Sequence, residues 1–170
     1  MFILSGIPVS PGIAIGHAYI LAHALGEIEP YLIPKNKVTQ EIKRFNNSVR
    51  NLHLELVNLK NELKKNKMIE YGSFIDIQLS ILKDPKISED PKKIIKDTLT
   101  NAEWALKIQM DEIISKFNKI NNTYIKERKN DVYQVCENLI KYLIGHQSHK
   151  VSNDRNQIIV AHDISPSDAL

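Results

Sequence analysis

Apolar residues recur in alternating steps of four and three over Val38, Ile42, Phe45, Val49, Leu52, Leu56, Leu59 and Leu63. That spacing predicts one long amphipathic helix with a single apolar seam, and the seam must be buried against another helix. A second chain can supply the cover, as in a parallel coiled coil, or later helices of the same chain can. The pattern downstream favours the same chain. Tyr71 to Leu82 carries Phe74, Ile75, Ile77, Leu79, Ile81 and Leu82 on more than one face, and Asp84-Pro85 stops that helix because proline cannot continue it. A short helix from Ser88 or Asp90 through Lys96 follows. Thr100-Asn101-Ala102-Glu103 reads as a capping box opening a helix that carries Trp104, Ile108, Ile113 and Phe117. The last helix, Thr123 to Ile144, places Val132, Val135, Leu139 and Leu143 inside, with Gly145 as its stop.

Outside this helical zone the pattern changes. Phe2–Val9 and His17–Ala22 are β-like runs around the turn Ser10-Pro11-Gly12. Near the other end, Ile158-Ile159-Val160-Ala161 reads as a buried strand. Ser165-Pro166-Ser167-Asp168 then supplies an N-cap and a proline at the first helical position. An isolated hairpin is marginal in water, so strands at opposite ends of the chain are expected to share one sheet. The expected architecture is therefore mixed α and α/β. Residues 1–33 and 146–170 form an α/β subdomain, and residues 34–145 form a bundle of four to five helices inserted into it. With about three strands and a closing helix of one turn, the α/β part reads as truncated.

Composition narrows the function classes. Apolar residues make up 42% and charged residues 25%, the balance of a folded globular protein. The least polar stretch, Gly12 to Leu25, is interrupted by His17 and His23 and is too short to span a bilayer. Met1 to Gly6 has no basic n-region, so a cytoplasmic protein is expected, with no membrane role. Cys136 is the only cysteine, which excludes an internal disulfide and a thiolate zinc cage. The net charge of +3 comes mainly from 19 lysines against 4 arginines, spread along helical faces, which argues against a nucleic-acid partner. None of the six histidines sits in a metal-binding or dyad arrangement. His146 and His149 are three apart in a loop without a carboxylate, and the neighbours His162 and Asp163 point to opposite faces of a strand. No phosphate-binding loop, nucleophile elbow or zinc-protease motif is present. The chain carries no self-sufficient catalytic constellation, so no catalytic or metal-binding residue is assigned.

Several segments nevertheless match one family in order and spacing. Ser5-Gly6-Ile7-Pro8-Val9-Ser10-Pro11-Gly12-Ile13-Ala14-Ile15-Gly16 resembles the opening G-x-x-x-S-P-G-[IV]-A-x-G of the enzyme I family of the bacterial phosphoenolpyruvate:sugar phosphotransferase system. Glu41-Ile42-Lys43-Arg44-Phe45 resembles its first-helix E-x-x-R-F, and Leu82-Lys83-Asp84-Pro85 its L-x-D-P/E corner. Asn101–Leu106, Tyr124–Val132 and Ile159–Ser167 are similar to its A-x-x-A, Y-L-x-E-R-x-x-D-V and D-L-[ST]-P-[SA] segments.

The resemblance implies an α/β subdomain of phosphohistidine type interrupted by a helical subdomain. The helical part would dock the histidine phosphocarrier protein HPr. It also implies that the parent enzyme takes phosphate from phosphoenolpyruvate, with Mg²⁺ on a later barrel domain. The active histidine would lie in a downstream G-G-x-[TS]-S-H that none of the six histidines matches. The chain is accordingly expected to be the N-terminal part of a longer enzyme, inactive alone. The full enzyme is expected to be a homodimer and this part a monomer. The HPr-binding positions that match are Glu70, Ser73, Ile81, Asp84 and Ile87 around the second-helix corner, with Phe117, Ile125 and Arg128 on later helices. The apolar members would anchor the partner unless they are bundle core, and the acids would meet its basic patch. Lys83, Pro85 and Lys86 interleave with Asp84 where familiar members have an acidic run. Ile77 and Gln78 stand where some have Gly and His, and Ala169 where some have Thr. The start at the S-P-G motif favours the sugar system over a nitrogen-regulatory paralogue. The competing reading from another class is a helical dimerisation or scaffold module.

Overall fold

A computed structural model describes residues 6–21, 28–65, 72–120, 123–145 and 156–161, with backbone alone at 21 and 123–127. A strand β1 (His17–Leu21) precedes a short 3-10 turn at Lys35–Lys37. Six helices follow among the described residues: α1 (Val38–Lys65), α2 (Gly72–Lys83), α3 (Pro85–Ser88), α4 (Asp90–Thr98), α5 (Ala102–Asn118) and α6 (Thr123–Ile144). Strand β2 (Gln157–Ala161) comes last. The expected four to five helices become six because Asp84-Pro85 both stops α2 and starts α3. The Asp84 carboxylate accepts the Lys86 N–H at 2.9 Å as N-cap, and Pro85 occupies the first turn.

The α1 seam is covered by helices of its own chain. Phe45, Leu52, Leu56 and Leu63 are buried, and Val38, Ile42, Val49 and Leu59 pack against the same core. The covering helices are α2, α4 and α6. Burying each large seam residue contributes about 1.5–3 kcal/mol, so the seam is the main reason α1 holds as one 28-residue helix. On α6, Val132, Val135, Leu139 and Leu143 are buried as the period requires, and Cys136 and Ile140 complete the stripe. Gly145 ends the helix at φ 80°, the left-handed backbone that glycine adopts without a Cβ clash.

Helix α5 turns a different face inward from the one its large residues suggest. Ala102, Ala105, Leu106, Gln109, Met110 and Ile113 are buried, whereas Ile108 is exposed and Trp104 and Phe117 are half-buried. Trp104 keeps its ring outside, with the Lys107 ammonium 5.5 Å from the ring centre. Two alanines on the inward face let α5 lie close to the core.

The capping box expected at Thr100–Glu103 does not form. Asn101 is the N-cap residue, but its side chain makes no capping bond. The free Ala102 N–H is instead satisfied from α1, by Glu41 Oε1 at 2.7 Å. Glu103 is drawn across to Arg44, which donates to its two oxygens at 2.6 and 2.8 Å. Arg44 also donates to both oxygens of Glu41 at 2.5 and 3.0 Å, and to the Leu143 carbonyl at 2.8 Å. Burial opposes the Arg44 charge, but its bonds with Glu103 and Glu41 outweigh burial and raise its pKa. Burial likewise works against the Glu103 carboxylate, yet the Arg44 hydrogen bonds hold its pKa below the ordinary value. Asn101 closes the network, donating to Glu103 at 3.0 Å and accepting the Tyr31 N–H at 3.1 Å. The starts of α1 and α5 and the end of α6 are thereby tied at one joint.

The two strands pair in parallel, His17 with Gln157 through Leu21 with Ala161, so the ends of the described chain meet with the bundle between them. His17 donates its N–H to the Asn156 carbonyl at 2.7 Å. A Cβ on Gly16 would stand 2.3 Å from that carbonyl oxygen, so the close approach requires glycine. Two expectations fail here. Residues 6–9 of the expected Phe2–Val9 run are not strand, and the rest of that run lies outside the described residues. Ile158, Ile159 and Val160 are exposed at 37, 38 and 47%, not buried, because no described layer packs on this two-stranded sheet. The helix expected at Ser165–Asp168 also lies outside the described residues.

Candidate docking surface

The corner between α2 and α3 is built from local bonds. The Asp84 N–H donates to the Ile81 carbonyl at 3.0 Å, and the Asp84 carbonyl accepts from the Ile87 and Ser88 N–H groups at 2.9 Å each. The Ser88 hydroxyl adds a further bond to the same carbonyl at 3.1 Å. The chain thus turns sharply without a flexible loop. Helix α3 packs on α5 and α2 on α6, so the corner shares one side of the bundle with later helices.

The candidate contact residues separate into distinct environments. Ser73 and Asp84 are exposed, and Asp84 has the structural task of capping α3. Ile81 and Phe117 are half-buried, each packed partly on the core with the remainder open. Arg128 is half-exposed and pairs with Asp131 one turn on at 3.0 Å. Ile87 is 2% exposed and belongs to the core, so it supports the corner from below and presents no surface for contact. Glu70 lies outside the described residues, as does the side chain of Ile125, whose backbone is on α6. The described candidates that keep some exposure are Ser73, Ile81, Asp84, Phe117 and Arg128.

Two residues were missed from the sequence. Phe74 is 51% exposed and Ile77 is half-buried. With Ile81 they repeat at i, i+3 and i+7, which places them on one flank of α2, beside the buried stripe of Ile75, Gln78 and Leu82. The signal was the apolar content of α2 on more than one face. A helix that buries one stripe and leaves a second open has surface to offer a partner.

Among the described residues, no three His, Cys, Asp or Glu side chains stand together as a metal site would require. Cys136 is fully buried, and burial pushes its thiol up to about 12. No described helix is long and apolar enough to cross a membrane.

Comparison with known proteins shows what the chain is similar to. The family model described as "PEP-utilising enzyme, N-terminal" matches residues 5–128. The phosphoenolpyruvate-protein phosphotransferase of Cupriavidus necator is 35% identical over 99% of this chain and 30% of its own length. That of Listeria innocua is 32% identical over 97% of this chain and 29% of its own. The chain thus spans about 30% of the length of the curated relatives it matches. An NMR solution structure of Enzyme I superposes with a TM-score of 0.76 at 26% identity, covering 98% of this chain and 68% of that one. An N-terminal domain of Enzyme 1 - Nitrogen, 18% identical with a TM-score of 0.72, shares the fold.

Proposed function

Because the chain belongs to the family of phosphoenolpyruvate-utilising enzymes as their N-terminal part, we propose that it is the docking end of a phosphoenolpyruvate–protein phosphotransferase of the sugar uptake system. The whole enzyme takes phosphate from phosphoenolpyruvate onto a histidine and passes it to HPr in the cytoplasm. This segment receives HPr and contributes no phosphoacceptor. The observation that supports the reading is the corner of α2 and α3, where Ile81 is half-exposed beside exposed Asp84, with Phe117 on α5 and Arg128 on α6 also partly open.

Transfer between two histidines needs them held in line, with little covalent work left to the protein. A helix face that is rigid before the partner arrives limits the ordering cost of binding. Ile81 and Phe117 supply apolar area, Ser73 and Arg128 polar contacts, and Asp84 the geometry of the turn. Mg²⁺ and phosphoenolpyruvate belong to the remainder of the enzyme. Titrating ¹⁵N-labelled HPr with this chain tests the reading. Shifts around its active histidine, with a Kd in the micromolar range (about −7 to −8 kcal/mol), are expected. Unmoved resonances at millimolar chain would overturn the docking role. Incubation with phosphoenolpyruvate, Mg²⁺ and HPr is expected to transfer no phosphate to or from this chain.

A further inference from the structure

The segment that leads into α1 runs beside it with a cleft of about 550 Å³ between the two. One wall is Tyr31–Pro34. The other is a flank that runs from the 3-10 turn into α1 and carries Lys37, Gln40, Arg44 and Asn47 at helical spacing, with Lys43 alongside.

Both walls are fixed by residues that do not line the cleft. The Ile33 N–H donates to the Leu99 carbonyl at 2.7 Å, and the Tyr31 carbonyl accepts the Asn101 N–H at 3.2 Å, which lays the segment antiparallel to Leu99–Asn101. The Asn101 amide adds a bond to the Glu29 carbonyl at 3.3 Å. Leu99 sits at φ 56°, a left-handed backbone that leucine adopts at a cost, and these bonds hold it there. The α1 wall is fixed through Arg44, which ties it to Glu103 and the Leu143 carbonyl. The cleft is therefore shaped before a ligand arrives, which limits the ordering cost of binding.

Its chemistry is divided between the walls. Tyr31 and Leu32 are 53 and 76% exposed, so the first wall offers apolar area. On the second, all five Arg44 N–H donors are spent on Glu41, Glu103 and the Leu143 carbonyl, leaving none for a ligand. With Glu41 and Glu103 against it, the Arg44 group carries one negative charge. Lys37 and Lys43 are exposed and form no ion pair with a described residue, so together they leave the cleft with one positive charge. A monoanion matches that balance. We propose that this cleft binds a small monocarboxylate with an apolar body, its carboxylate met by Lys37 and Lys43 and its body laid on Tyr31 and Leu32.

Titration of the ¹⁵N-labelled chain with hydrocinnamate tests the proposal, with acetate as the charge alone and hydrocinnamyl alcohol as the body alone. Saturable shifts centred on residues 31–47 are expected, with a Kd on the order of 1 mM, and about tenfold weaker binding for either half-probe. The Lys37→Ser/Lys43→Ser chain is expected to bind hydrocinnamate about tenfold more weakly with an unchanged melting curve. Leu32→Ser is expected to weaken hydrocinnamate and leave acetate as it was. Shifts that do not saturate by about 20 mM, or that spread over the whole bundle, overturn the site. An alcohol that binds as tightly as the acid, or a double-serine chain that binds as wild type does, overturns the carboxylate assignment. Acetate binding as tightly as hydrocinnamate overturns the role of the apolar wall.

Discussion

Exchanging Glu103 for Gln perturbs the joint that ties α1, α5 and α6 while nearly preserving side-chain volume. Glu103 is 7% exposed and accepts three hydrogen bonds, two from Arg44 and one from Asn101. A glutamine keeps one acceptor oxygen and turns an NH₂ group toward donors, so at least one charge-assisted bond is lost and a buried donor is left facing another. Hydrogen bonds to charged groups are worth about 1.5–3 kcal/mol each. Arg44 keeps its contacts to Glu41 and the Leu143 carbonyl, which limits the damage. A loss of about 2–3 kcal/mol follows, or about 4–12 °C in Tm for a chain of this size. Urea unfolding followed by far-UV circular dichroism at pH 7 measures it. The sign of the pH dependence is fixed. The Glu103 pKa is lowered from 4.5 in the folded state, so its stabilisation is fully present above that value and disappears as pH falls through the folded pKa. The gap between wild type and Glu103→Gln must therefore shrink on acidification below about 4.5. A gap under about 0.5 kcal/mol at pH 7, or one that stays constant with pH, would refute the account of the joint.

Two further outcomes follow from buried groups. The Oε1 of Gln78 is buried without a hydrogen-bond partner among the described residues, so Gln78→Met, of similar volume, should raise stability by about 1 kcal/mol in the same urea assay. A loss of that size would show that the amide is satisfied by an internal water. Cys136 should resist Ellman's reagent at pH 8 in the folded chain and react fully in urea, because burial withholds the thiolate. Fast labelling of the native chain would place the thiol at a mobile surface.

What could be read from the sequence was what depends on regular spacing of large apolar residues. The α1 seam and the α6 stripe announce themselves because Leu, Val and Ile recur at helical period. The α5 face does not, because its inward positions include Ala102, Ala105 and Gln109, which carry little hydrophobic signal, while Trp104 and Ile108 point attention outward. The capping box at Thr100–Glu103 satisfied every local rule and still failed, because Arg44, 59 residues away, takes the Glu103 carboxylate. Local pattern cannot anticipate that recruitment. The candidate surface shows the same limit. Ile81 and Ile87 are identical side chains on either side of one turn, and only packing makes the first half-open and the second core.

The joint also explains why separate helices can present one surface. Each helix registered there runs away from it or back toward it at about 1.5 Å per residue. Helix α5 starts at the joint and reaches Phe117 after about 24 Å. Helix α6 returns to it, and Arg128 lies about 24 Å before its end. Helix α1 runs about 24 Å from Arg44 to Lys60, which pairs with Asp76 on α2, and α2 then comes back about 10 Å to the corner at Lys83. Phe117 and Arg128 therefore stand at nearly one level of the bundle, and the corner lies about 10 Å nearer the joint. Segments that resemble the family through Glu41, Arg44, Phe45 and Glu103 set that register without touching the surface it aligns. Loosening the joint acts on docking only through register, so a Glu103→Gln chain held well below its Tm keeps its affinity for the carrier. Affinity that fell in parallel with stability would show that helix sliding, and not the individual contacts, limits recognition.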